Sequence, residues 1–332
     1  MSDDIIDKIE RAELIGRGGA GYPTAQKWKE VKATESDKKY VICNASEGEI
    51  GLFKDIFILE NHPEKVVKGM KIALDYLGSK KSFFNINRKY YEKVGHRIEE
   101  ITKEYNNQGY RFQPYIEEPS YIGGEETALL NAIEGKRTEP RQKPPYPSAS
   151  GLFTRPTLIN NVETFFNVTL VDEDSYEGKR FCSLSGPINN GGVHHLPSDW
   201  SIERILQETG NYPDFDFFVQ VGGSASGVIY NKEQISNQKI SGAGGLEIYG
   251  TDAKPKDVIL RWLSFYEQES CGKCTPCREG SFALREIVER NEEVPWEDIF
   301  KVLESTKETS FCGLGKSISE PIYSYYSNVL NK

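Results

Sequence analysis

The hydrophobic and polar positions divide the 332 residues into three stretches of different period. In the first half, short apolar runs such as Tyr40-Val41-Ile42-Cys43 alternate with helical patterns such as Pro63 to Leu77 and with glycine-rich turns, the arrangement of an α/β layer. Between Lys136 and Ser150 proline and basic residues crowd together, which argues against regular helix and predicts an extended strap across the first domain. From about Phe181 to Gly250, β-like runs (FCSLSG, DFFVQVGG) flank one helical pattern, Ser201 to Thr209, and predict a small β-rich module with a single helix. Beyond Lys256 the spacing turns helical at Val258-Ile259-Leu260, Trp262-Leu263, Phe282 to Val288, Ile299 to Leu303 and Ile318 to Val329, which predicts a small bundle. No internal repeat interrupts this order.

No apolar stretch approaches the roughly 20 residues of a membrane span, so direct membrane insertion is not expected. The acidic start, Met1-Ser2-Asp3-Asp4, lacks the basic and apolar regions of a secretory signal and gives a cytoplasmic expectation. Fifty acidic against 41 basic side chains leave a net charge of −9, the wrong sign for a nucleic-acid binder.

Four of the six cysteines fall in one C-terminal region. Cys271, Cys274 and Cys277 form a C-x2-C-x2-C run, and Cys312 follows in SFCGLG. Two-residue spacers let successive sulfurs bend around one cuboidal cluster, and a remote fourth cysteine closes the cage, as in ferredoxin-type iron–sulfur ligation. A structural zinc site, the alternative, more often uses separated pairs or histidine, and no histidine lies nearby. Cys43 and Cys182 read as small buried apolar residues.

The run GRGGAGYPT holds Gly16, Gly18, Gly19 and Gly21, whose backbone amides suit an anion nest, with Arg17 and Lys27 adding charge. Alone it reads equally well as a flexible turn. CNASEGEIGLFKD adds Asn44, Ser46, Glu47 and Glu49 just after a strand, where polar groups gather at α/β binding sites. YIGGEETA adds Tyr121, Gly123, Gly124 and the paired Glu125 and Glu126 entering a helix. Asn160, Asn161 and Thr164 offer donors and acceptors suited to a flavin ring or ribityl chain.

Taken in order, these segments together with PRQKPPYPSASGL, PTLINNVET, ESCGKCTPCREG and SFCGLG resemble the NADH-binding flavoprotein subunit of respiratory complex I. Similar subunits occur in NAD(P)-linked hydrogenases, formate dehydrogenases and electron-bifurcating complexes. The resemblance covers almost the whole chain. It implies an α/β fold: an FMN-binding Rossmann-like domain over 1–175, a ubiquitin-like β-grasp (SLBB) module over 176–250, and a helical [4Fe-4S] domain over 251–332. It implies an NAD(P)H:acceptor oxidoreductase subunit, with hydride passing between NAD(P)H and FMN and single electrons between FMN and the cluster. FMN is expected against Gly16, Gly18, Lys27, Asn44, Ser46, Glu47, Tyr121, Gly124, Glu125, Asn160, Asn161 and Thr164. The nucleotide is expected near Tyr22, Glu49, Glu126 and Lys143, with Glu126 and Glu47 tuning charge at the flavin ring.

Several positions depart from the family pattern. Ser46 replaces an aspartate, Gly48 a serine, Ile50 a proline and Leu52 a threonine, and Glu30 stands where an aromatic residue helps sandwich the adenine. Glu30 leans the expectation toward NAD over NADP. The alternative reading is an electron-conduit subunit that keeps the fold and the flavin but has lost the nucleotide site. The thioredoxin-like [2Fe-2S] and ferredoxin modules fused to some relatives are not encoded in these residues, so those clusters are expected on partner redox subunits.

Overall fold

The computed structural model describes residues 2–223 and 225–331. Two compact units emerge: the first comprises residues 1–48 and 53–181, the second residues 49–52 and 182–332.

The first unit is built on a parallel four-stranded sheet. Its strands are β1 (Tyr40–Ala45), β2 (Lys81–Asn87), β3 (Arg111–Glu117) and β4 (Thr157–Asn161), in the order β3-β2-β1-β4. Around it lie α1 (Ser2–Arg11), α2 (Thr24–Ala33), α3 (Lys54–Asn61), α4 (Pro63–Leu77), α5 (Arg88–Asn107), α6 (Glu126–Ile133), α7 (Pro147–Ser150) and α8 (Val162–Asp172). Strand β1 is apolar nearly throughout because a parallel strand is covered on both faces. Helix α4 has the span its pattern predicts: Pro63 opens it where a missing N–H costs nothing, and left-handed Gly78 caps it. Its Val66, Val67, Met70, Ala73 and Leu74 are fully buried. The proline-rich strap is not wholly extended, because Pro147 sits at the first helical position and starts the single turn α7.

Strand order places a ligand crevice. From β1 the chain moves one way to β2 and β3, then β4 returns on the other side of β1. The order reverses between β1 and β4, and in open parallel sheets the crevice outside the carboxyl ends of the strands at that reversal is where ligands bind. Asn44 and Ser46 leave β1 there, and Asn160 and Asn161 end β4, with Asn44 in register with Asn161.

The second unit holds β5 (Lys179–Ser185, whose first residues belong to the first unit), β6 (Gly192–Pro197), β7 (Phe217–Gly222), β8 (Val228–Asn231) and β9 (Gly245–Gly250) in the order β6-β5-β9-β7-β8. One helix, α9 (Ile202–Glu208), accompanies them within the predicted pattern Ser201 to Thr209, and the Ser201 side chain caps it. Ile202, Ile205 and Leu206 pack with Leu184, Val219, Val221, Leu246 and Ile248. The rest is helical: α10 (Pro255–Glu269), α11 (Thr275–Arg290), α12 (Trp296–Thr309), α13 (Gly313–Ser317) and α14 (Ser319–Tyr325), followed by a π-helical turn over Tyr326–Leu330. No helix among the described residues is long and apolar enough to cross a membrane.

Candidate functional site

The motif loops of the first unit interlock at the reversal. A Cβ at Gly124 would lie 2.9 Å from the Ser46 carbonyl oxygen, and one at Gly48 would lie 2.9 Å from the backbone of Ser120 and Tyr121. Only glycine lets the CNASEGE and YIGGEE loops approach this closely. Asn44 joins them, its amide donating to the Gly124 carbonyl at 2.9 Å while its oxygen accepts the Ser46 N–H at 3.2 Å.

The glycine loop is closed by an N–H of Gly16 donating to the Tyr22 carbonyl at 2.8 Å, and Gly18 packs against the Cβ of Asn161. Helix α2 follows with no acidic residue in its first turn; the Thr24 N–H donates to the Leu14 carbonyl at 2.9 Å, and no side chain caps the amides after it, which leaves them to an anion. Arg17 is buried, its N–H donating to Thr164 Oγ1 at 2.9 Å and its guanidinium to the Tyr176 hydroxyl at 3.1 Å. Thus Arg17 and Thr164 are tied into the protein itself.

Behind these loops lies a buried charge cluster. Lys54 Nζ stands 2.5 Å from Asp55 and 3.4 Å from Glu163, and donates to Asn161 Oδ1 at 3.1 Å. Asn161 also caps α8 and donates to Asp55 at 2.6 Å. Glu47 accepts from the Tyr90 hydroxyl at 2.9 Å and from the Asp55 N–H at 3.1 Å. Burial, and next the charge of Asp55, push the Glu47 carboxyl up to about 8 against the pull of Lys54. Burial raises Asp55 as well. Burial opposes the charge on Lys54, yet Asp55, Glu163 and Glu47 outweigh it and raise its pKa. One cation among three carboxyls leaves a proton to be held, and Glu47 holds it near neutrality.

Glu125 and Glu126 divide their work. Glu125 caps α6 through the N–H groups of Thr127 and Ala128. Glu126 meets Lys27 at 3.1 Å and Lys143 at 3.1 Å, and Lys143 also meets Glu125 at 2.8 Å. Burial works against ionisation of Glu126, but the two lysines hold its carboxyl below the usual range. Tyr22 is exposed and donates to Glu30 at 2.5 Å. Glu49 belongs to the second unit, where its Oε1 accepts from the Ala225 N–H at 3.2 Å and from the Ser226 N–H and hydroxyl at 2.8 Å.

Polar atoms left over inside this region identify where a polar ligand fits. Glu47 Oε1 and Asn160 Oδ1 are buried without a hydrogen-bond partner, as is the carboxyl of Glu117, which the sequence did not single out. A flavin nucleotide, with ring and ribityl donors and an anionic phosphate, matches these orphan acceptors and the uncapped α2 terminus together.

The thiols gather at helix starts. Cys274 is the N-cap of α11 and Cys277 lies in its first turn, while Cys312 is the N-cap of α13. Left-handed Gly272, with φ 75°, turns the chain between Cys271 and Cys274. Burial pushes the Cys277 thiol up to about 11, the Ser270 hydroxyl pulls it back, and the charges of Cys274, Cys312 and Cys271 add to the rise. Cys277 therefore feels the other three sulfurs, although among the described residues no three His, Cys, Asp or Glu are arranged for a single metal ion. Ionising them together calls for a cationic core, and an all-thiolate set beside the positive end of α11 fits an iron–sulfur cluster. Cys43 and Cys182 are buried elsewhere.

Known proteins resemble both regions of the chain. Residues 9–170 match the Nuo51 FMN-binding domain, and residues 257–329 match the NADH-ubiquinone oxidoreductase-F iron–sulfur binding region. HndC, a subunit of the NADP-reducing hydrogenase of Solidesulfovibrio fructosivorans, is 32% identical, over 99% of this chain and 75% of its own. The F subunit of NADH-quinone oxidoreductase in Aquifex aeolicus is 32% identical, over 94% of this chain and 81% of its own. A crystal structure of NAD+-reducing [NiFe]-hydrogenase in the H2-reduced state superposes with a TM-score of 0.90 at 27% identity, over 99% of this chain. This chain spans 62% of that hydrogenase chain, less than two thirds of its length. The chain belongs to the family of FMN- and [4Fe-4S]-binding NADH dehydrogenase flavoprotein subunits, which includes the F subunits of NADH-quinone oxidoreductase and their counterparts in NAD(P)-linked hydrogenases.

Proposed function

We propose that this chain is the nucleotide-oxidising subunit of a larger redox complex, with FMN at the β1/β4 reversal and one [4Fe-4S] cluster on Cys271, Cys274, Cys277 and Cys312. The observation that carries the reading is the convergence of the glycine loop, the Asn44–Gly48 loop, the Tyr121–Glu126 loop and Asn160 on that reversal, with orphan acceptors buried among them. When bound, the flavin supplies the hydride acceptor and the cluster the one-electron acceptor.

The chain's own residues bind and orient. The amides of the glycine loop and of the α2 terminus, with Lys27, hold the phosphate. Glu47, protonated near neutrality, and Glu126, kept ionised between Lys27 and Lys143, set the charge beside the ring. Tyr22 stacks on the adenine, and Lys143 meets the pyrophosphate. Glu30 beside Tyr22 disfavours the extra 2′-phosphate of NADP, so NAD is the proposed nucleotide. The helices over 251–332 form the cluster-bearing domain, and the segment 176–250, whose residues from 182 onward lie in the second unit, forms the β-grasp module. We assign the chain to the cytoplasm, with a thioredoxin-like [2Fe-2S] subunit and a further iron–sulfur or catalytic subunit as partners.

Anaerobic addition of NADH to the purified protein tests this, with flavin absorbance followed and FMN, iron and sulfide measured on the same sample. Bleaching together with stoichiometric FMN is expected. A flavin that dithionite bleaches and neither NADH nor NADPH does would make the chain a conduit instead.

A further inference from the structure

We propose that Glu117 is a further residue of the flavin site, its carboxyl accepting a hydrogen bond from a donor group of the bound flavin. The proposal rests on the flavin reading above and adds a residue to it. Glu117 is the last residue of β3, at the carboxyl edge of the sheet and in register with Asn87 of β2. It is 7% exposed, and neither of its buried carboxyl oxygens receives a well-formed hydrogen bond.

Its neighbours are residues of the motif loops. A Cβ at Gly123 would lie 2.9 Å from Glu117 Oε2 and 2.8 Å from Ser120 Oγ, so the carboxyl fits directly against the Tyr121–Gly124 turn because residue 123 has no side chain. Asn85 and Ser46 adjoin the carboxyl and bond to each other, Asn85 Nδ2 donating to Ser46 Oγ at 2.5 Å, and the donors left to them reach Glu117 without forming a full hydrogen bond. Burial raises the Glu117 pKa, and the Ser46 hydroxyl and Asn85 amide only partly offset this. A buried carboxyl with only weak donors is costly and persists where something else supplies stronger ones. FMN carries O–H donors on its ribityl chain and an N–H donor on its ring.

Ser46 follows β1 and adjoins the Glu117 carboxyl from that side, so an aspartate at position 46 would set a carboxyl in the same place.

Flavin-free protein titrated with FMN, followed by quenching of flavin fluorescence, tests the proposal without reference to turnover. Glu117→Ala should weaken FMN binding about tenfold or more, with iron content and circular dichroism unchanged. Ser46→Asp combined with Glu117→Ala should regain most of the loss. Should Glu117→Ala fail to fold, the near-isosteric Glu117→Gln takes its place and should also bind FMN more weakly, since a neutral acceptor makes the poorer bond. A parallel titration with lumiflavin, which lacks the ribityl chain, locates the donor: a loss shared by lumiflavin points to the ring N–H, a loss confined to FMN and riboflavin to a ribityl hydroxyl. Wild-type protein that binds no FMN would sink the flavin reading itself. Wild-type protein that binds FMN no better than the Glu117 variants, or a loss that Asp at position 46 does not restore, would overturn the role of Glu117 alone.

Discussion

The Tyr22 hydroxyl donates to the Glu30 carboxylate at 2.5 Å, joining the end of the glycine loop to the face of α2 eight residues on. That bond fixes the ring proposed to stack on the adenine and sets a carboxylate beside it. The hydrogen bond to Glu30, with burial second, raises the Tyr22 pKa, so the phenol stays protonated at neutral pH.

Replacing Glu30 with Phe should therefore lower the KM for NADH. A second ring adds stacking of the order of ~0.5–1.5 kcal/mol, or roughly two- to tenfold, and a charge repelling the pyrophosphate disappears. Steady-state kinetics on the variant, with flavin content unchanged, would show it. An unchanged or higher KM would mean that position 30 does not face the nucleotide.

Cys274 is both a sulfur donor and the N-cap of α11, so Cys274→Ala should remove a ligand and the start of the helix at once. We expect an incomplete cluster and an earlier melting transition for the helical part, with FMN retained. Iron and sulfide analysis checks the first and circular dichroism the second. Four irons per chain in the variant would count strongly against the ligand set.

Much of this was legible in the sequence, and the limits have physical causes. The span of α4 and the cap of α9 follow from local chemistry, proline and glycine at the ends of one and serine before the other. Helix α5 is poorly visible because it buries little beyond Val94, Gly95, Ile98 and Thr102 over 20 residues. The motif loops announced themselves through glycine and paired acids, whereas Glu117 lies in a strand end with no motif around it. Nor could the partners of Glu49 be read, since they lie 176 and 177 residues away. Asn44, Asn161 and Thr164 turned out to be tied to the protein's own backbone and charges, work that a residue type cannot reveal.

Glu49 offers a separate test of structural against ligand roles. Removing its carboxylate leaves the N–H groups of Ala225 and Ser226 without an acceptor inside the second unit. Glu49→Ala should cost about 1–3 kcal/mol for each donor left unsatisfied, read as a lower urea midpoint. Glu49→Gln keeps an acceptor oxygen and should lose less. Equal midpoints in all three proteins would mean that water replaces the carboxylate freely.

Glu47 should make stability depend on pH with a defined sign. In the unfolded chain a glutamate titrates near ~4.3, whereas burial and the charge of Asp55 bring it to about 8 in the fold. The folded state thus binds this proton more tightly than the unfolded state does. Its contribution is fully present below the unfolded value, declines as pH rises, and is lost once pH passes the folded value. A tenfold change in proton affinity is worth ~1.4 kcal/mol, so the decline amounts to a few kcal/mol across the interval. The raised pKa of Asp55 adds a slope of the same sign that remains when Glu47 is changed. Glu47→Gln has no proton to lose, and its amide oxygen can still accept from Tyr90 and the Asp55 N–H. Thermal midpoints between about pH 5 and 8.5 should fall less steeply in the variant than in the wild type, with the variant the more stable at the alkaline end. Parallel curves for the two proteins would mean that Glu47 is ionised throughout and that the proton of the Lys54 cluster resides on another carboxyl.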